Sequence, residues 1–70
     1  SIDRMYITRK SIFTGETHAL ELNITRKQLD SWEGGTLIQD AFPKLTVAER
    51  DFIKFGVTEE EWNDCFKDLK

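Results

Sequence analysis

The chain is poor in the residues that build metal centres and covalent frameworks: it has one cysteine, one histidine and one proline. A single cysteine, Cys65, cannot form an intrachain disulfide, and with His18 as the only histidine no Cys/His zinc spacing exists. The chain must therefore fold on packing alone, or with help from a partner or a second copy, and a reducing compartment suits it. No apolar run approaches the ~20 residues that span a bilayer. The opening Ser1-Ile2-Asp3-Arg4 lacks the basic-then-apolar layout of a signal peptide, so a cytoplasmic location is expected. EF-hand spacing, a Ser-centred elbow and a phosphate-cradling glycine loop are also missing. Gly34-Gly35-Thr36 resembles half of such a loop, but no lysine follows where one is needed. Metal, cofactor and catalytic residues are accordingly all expected to be none.

Seventy residues allow one domain, 1–70. A chain this short must use its core efficiently, and five Phe, two Trp and one Tyr offer large buried areas per residue. Met5 to Phe13 reads as a strand, with a bulge expected at Ser11-Ile12-Phe13, where the alternation falters. Thr14-Gly15-Glu16-Thr17 supplies turn chemistry, with Gly15 free to take positive φ. His18 to Ile24 alternates, Leu20, Leu22 and Ile24 sharing one face. The expected fold is α+β: an antiparallel hairpin over about 5–24, packed against three to four short helices over 25–70.

The helices share one start signal. Thr25-x-x-Gln28, Thr36-x-x-Gln39, Thr46-x-x-Glu49 and Thr58-x-x-Glu61 all fit the capping box, and Ile24 with Leu29 and Val57 with Trp62 fit the hydrophobic staple. Stops are expected at Gly34-Gly35, before Pro43, and at Gly56, giving helices over about 26–33, 37–42, 47–55 and from Glu59 onward. Trp62, Cys65, Phe66 and Leu69 form an apolar stripe at i, i+3, i+4 and i+7. Trp32, Phe42, Phe52, Trp62 and Phe66 are expected to supply most of the core, and Trp62→Ala to cost about 3–5 kcal/mol as a buried truncation. Cys65 reads as a filler of a gap in that stripe rather than a nucleophile, since its only possible base, His18, lies far away in sequence. His18 itself reads as a strand-end residue on the face of Leu20 and Leu22, half-buried or touching a partner.

Charge is unevenly placed. Residues 1–27 hold five basic and three acidic side chains, net +2; residues 28–70 hold five basic and ten acidic, net −5. Residues 47–55, Gly56-Val57-Thr58 and the helix from Glu59 imitate a helix-turn-helix. The would-be recognition helix, however, carries Glu59, Glu60, Glu61, Asp64 and Asp68, the wrong sign for phosphate contacts. An acidic helix can instead meet a basic groove on a protein, or simply keep a small domain in solution. The candidate partner-binding residues are therefore Glu59, Glu60, Glu61 and Asp64 on the last helix. Arg9 and Lys10 on the hairpin join them, with Arg26 and Lys27 expected to extend that basic patch.

Leu37-Ile38-Gln39-Asp40-Ala41-Phe42-Pro43, Glu49-Arg50-Asp51-Phe52-Ile53, Gly56-Val57-Thr58 and Glu60-Glu61-Trp62 follow one another in that order. Together they resemble a family of small bacteriophage-encoded proteins of unknown function, over about residues 22–66, with the first strand unmatched. The resemblance carries no catalytic residues. It implies an accessory protein that binds a host or viral protein in the host cytoplasm, as an inhibitor or regulator. A nucleic-acid-binding regulator and a small homo-oligomeric structural protein assembled at the hairpin edge are the alternatives; an enzyme is not expected.

Overall fold

The computed structural model describes residues 4–67. Strands β1 (Met5–Lys10) and β2 (Thr17–Leu22) form an antiparallel hairpin, followed by helices α1 (Arg26–Glu33), α2 (Ile38–Ala41), α3 (Val47–Phe55) and α4 (Glu59–Lys67). The fold is α+β, with the hairpin packed on α3. No described helix is long and apolar enough to cross a membrane.

The register pairs Met5 with Leu22, Ile7 with Leu20 and Arg9 with His18, and residues opposite one another project to the same side. These six residues are all buried or half-buried, whereas Tyr6, Thr8, Lys10, Thr17, Ala19 and Glu21 on the other face are all exposed. One face of the sheet is thus covered and the other is open. β1 ends three residues earlier than the alternation predicts, and no bulge forms. The buried Ser11 explains this: its hydroxyl accepts from the amides of Phe13 and Thr14, and its carbonyl accepts from Gly15. That local bonding bends the chain into a tight turn at residues 11–15, with Gly15 at φ 76° as expected, and leaves Ile12 and Phe13 exposed.

Three of the four capping boxes form, at Thr25/Gln28, Thr46/Glu49 and Thr58/Glu61. The fourth does not. The Thr36 hydroxyl is 2.7 Å from Ser31 Oγ and its amide donates to the Ser31 carbonyl, so Thr36 closes the α1–α2 turn and α2 begins after Leu37 with no side-chain cap. At the end of α1, Gly34 stays right-handed and positive φ passes to Gly35, at 114°. Pro43 moves Phe42 out of helical angles, to φ −127° and ψ 66°.

The core is the cluster Ile7, Leu22, Ile24, Leu29, Ala41, Phe42, Leu45, Phe52 and Ile53. Phe42 and Phe52, each 1% exposed, hold the expected central positions. Trp32 lies at the edge, tilted against Phe42 with ring centroids 6.2 Å apart. The last helix departs from expectation. α4 buries no residue: Trp62 is half-buried, Cys65 is exposed rather than filling a gap, and Phe66 is 57% exposed. Leu45, in the turn after Pro43, supplies the apolar volume that the pattern had assigned to α4. Leu69 and Asp68 lie outside the described residues.

Candidate functional site

The turn between the strands and the start of α4 are brought together by α3. Ile12 donates its amide to the carbonyl of Phe55, the last residue of α3, and Arg9 Nε donates to the Ile53 carbonyl. Gly56 then turns left-handed at φ 74°, so close to β1 that a Cβ there would run into the Lys10 carbonyl. No side chain fits, and the chain passes directly into α4. Residues 10–18 and 58–66 are thereby set face to face.

Glu61 is the centre of this contact. As the third residue of α4 it completes the capping box: Oε1 accepts from the Thr58 amide at 3.0 Å, and its own amide donates to the Thr58 hydroxyl. Its other oxygen, Oε2, accepts from the Thr14 hydroxyl at 2.6 Å and lies 3.0 Å from His18 Nε2. The hydrogen bonds from Thr14, the Thr58 amide and His18 outweigh a desolvation that acts the other way, and they lower the carboxyl from 4.5 to about 2. An ionised carboxylate only accepts, so His18 must donate from Nε2. Side-chain exposures of 24% for His18 and 11% for Glu61 make this an internal pair rather than a surface ion pair.

Beside the pair runs an aromatic row. Phe13 meets Trp62 edge to face, with centroids 4.9 Å apart and planes at 85°, and Phe66 stacks on Trp62 at 5.9 Å and 18°. Among the described residues the Trp62 indole N–H is shut away without an acceptor, a cost set against the stacking. Phe13, Thr14, Glu61, Asp64 and Cys65 line a shallow hollow of about 230 Å³ alongside.

The candidate binding residues are dispersed by this arrangement. Glu59, Glu60 and Asp64 are exposed, whereas Glu61 turns inward and leaves the outward acidic face. Arg9 and Lys10 project to opposite faces of β1, Arg9 half-buried against α3 and Lys10 exposed. Arg26 and Lys27 follow the far end of β2, beside Met5, so they do not extend the patch at Lys10. The register separates the two ends by five residues, roughly 16 Å.

The Glu61–His18–Thr14 contact was not legible in the sequence as a site. His18 is placed on the covered face by the alternation of β2, and Glu61 at its helix position by the capping box, but 43 residues separate them and no local pattern pairs them. Glu16, on the same turn, completes a group with His18 and Glu61 whose ligand atoms all lie within 4.8 Å of one another. No known protein family, curated protein or solved structure matches this chain.

Proposed function

We propose that the chain is a small, non-enzymatic accessory protein of a bacteriophage, acting in the host cytoplasm by binding a host or viral protein as an inhibitor or regulator. The binding face is the outer side of α4 with the hairpin turn. One observation carries the reading: α4 has the apolar spacing of a packed helix yet buries none of its residues, while Phe13 and Phe66 stand exposed against the half-buried Trp62 and Ile12 is exposed on the same turn as Phe13. Apolar side chains grouped in this way mark interaction surfaces more often than residues scattered singly do. Asp64 lines the hollow with Phe13, and the exposed Glu59 and Glu60 add negative charge to the same helix, which favours a basic partner surface and disfavours nucleic acid. The helix-turn-helix alternative has too few cations on α4 to meet phosphates: among the described residues Lys67, in the last turn, stands against Glu59, Glu60, Glu61 and Asp64.

The test is capture of a partner from bacterial lysate by the tagged chain, with nuclease present and at low and high salt, for the parent and for Phe66→Ala. The expected result is one protein retained by the parent and lost with Phe66→Ala, the variant's circular dichroism being unchanged. Loss at high salt assigns part of the affinity to the acidic rim. Retention of nucleic acid alone, or a concentration-dependent mass with nothing captured, would sink the proposal in favour of DNA binding or self-assembly.

A further inference from the structure

The geometry points to a divalent transition-metal site, of the kind that takes Zn²⁺, formed by Glu16, His18 and Glu61 where the hairpin turn meets α4. It is independent of the protein-binding reading. The three ligand atoms come from two segments far apart in sequence, and they lie within 4.8 Å of one another. One imidazole and two carboxylates form a borderline donor set suited to zinc and its neighbours, with remaining positions open to water. The decisive distance is His18 Nε2 to Glu61 Oε2, at 3.0 Å. Two ligands each about 2.0–2.2 Å from one tetrahedral ion stand about 3.3–3.6 Å apart, so this pair need part by only about half an ångström to become adjacent ligands. The ion takes the place of the hydrogen between them: the Nε2 lone pair turns to the metal and the ring carries its hydrogen on Nδ1, a neutral Nε2–H ring by moving that proton to Nδ1 and an imidazolium by giving its Nε2 proton to solvent.

Glu61 needs no such exchange. The Thr14 hydroxyl and the Thr58 amide hold its carboxylate in place and ionised, so they serve as the outer contacts that orient a ligand. Glu16 is the movable member. It is exposed, and a short swing of its side chain closes the triangle around an ion, while its amide stays anchored on the Thr14 hydroxyl. Cys65 lines the adjoining hollow but is not one of the three, and this separates the proposed site from adventitious thiol binding.

The experiment is titration of the reduced, metal-free full chain with Zn²⁺, followed by calorimetry and by the nitrogen resonances of the His18 ring. One ion per chain is expected, with the Nε2 resonance displaced and the melting temperature raised. Glu16→Gln, which removes a ligand without touching the Thr14–Glu61–His18 contact, is expected to fold as the parent and to weaken Zn²⁺ binding about tenfold or more. Cys65→Ser is expected to bind as the parent does. No binding by the parent, unchanged binding by Glu16→Gln, or loss with Cys65→Ser would each overturn the assignment. Because every readout is metal binding itself, failure here leaves the protein-binding proposal untouched, and the reverse holds too.

Discussion

Gly56 and Glu61 hold the junction of the hairpin and α4 by different means. At Gly56 two constraints coincide: φ is 74°, and the backbone of β1 presses on the space a Cβ would fill, with the Lys10 carbonyl carbon at 2.6 Å and the Ser11 nitrogen at 3.0 Å. Gly56→Ala is therefore expected to destabilise by at least about 2 kcal/mol in urea unfolding, combining backbone strain with a clash. Gly35→Ala is the control. It has positive φ but nothing within 4 Å, and should cost only about 1–2 kcal/mol. At Glu61 the consequence is a pH dependence. Its carboxyl is lowered from 4.5 in the unfolded chain to about 2 in the fold, so the stabilisation is complete above about pH 4.5 and is lost as pH falls towards 2. Urea midpoints measured between pH 6 and 2 with chelator present should fall steeply across that window for the parent. They should fall less for Glu61→Gln, and identical slopes would refute the contact.

At the scale of elements, the helices are too short to persist alone, and their ends are held by named side chains. In α3 the Thr46 hydroxyl accepts from the Glu49 amide at 3.1 Å and the Glu49 carboxylate accepts from the Thr46 amide at 2.9 Å. Thr46→Ala should cost about 1 kcal/mol by denaturant unfolding. Thr36→Ala, at a position with the same sequence signature, should cost no cap, because its hydroxyl bonds Ser31 and α2 starts without it. An equal loss for the two would mean that Thr36 caps α2 in solution. The contrast has a simple origin. A capping box needs the residue before the helix to be free to point its hydroxyl along the axis, and the tight Gly34-Gly35 turn uses Thr36 elsewhere.

Over the whole molecule, the buried core and the proposed binding surface are divided between different helices. The core lies between the covered face of the hairpin, α1, α2, α3 and the turn at Leu45, and Phe52 at its centre is 1% exposed. Phe52→Ala should cost about 3–5 kcal/mol, a large share of what so small a domain has. Phe66→Ala should lie within about 0.5 kcal/mol of the parent, and Trp62→Ala should cost less than Phe52→Ala because Trp62 is only partly buried. Comparable losses for Phe66→Ala and Phe52→Ala in equilibrium unfolding would mean that α4 packs into the core. Hydrogen exchange should show the same division, with α3 amides protected up to global unfolding and α4 amides opening earlier.

Local chemistry was enough to determine the order of the elements, the capping boxes at Thr25, Thr46 and Thr58 though not the absence of one at Thr36, the breaks at Pro43 and Gly56, and the side of β2 that faces inward. Each depends on residues a few positions apart, so the chain's own periodicity carries the information. The tertiary structure decided the rest. It chose Leu45 over Trp62 and Phe66 for the core, ended β1 at Lys10, placed Arg26 and Lys27 at the other end of the hairpin from Lys10, and joined His18 to Glu61. An amphipathic stripe states that a helix has an apolar side, but not what that side will touch. The answer depended on how far α3 and the Gly56 turn carry α4 along the hairpin, a distance set by packing between residues 40 or more positions apart.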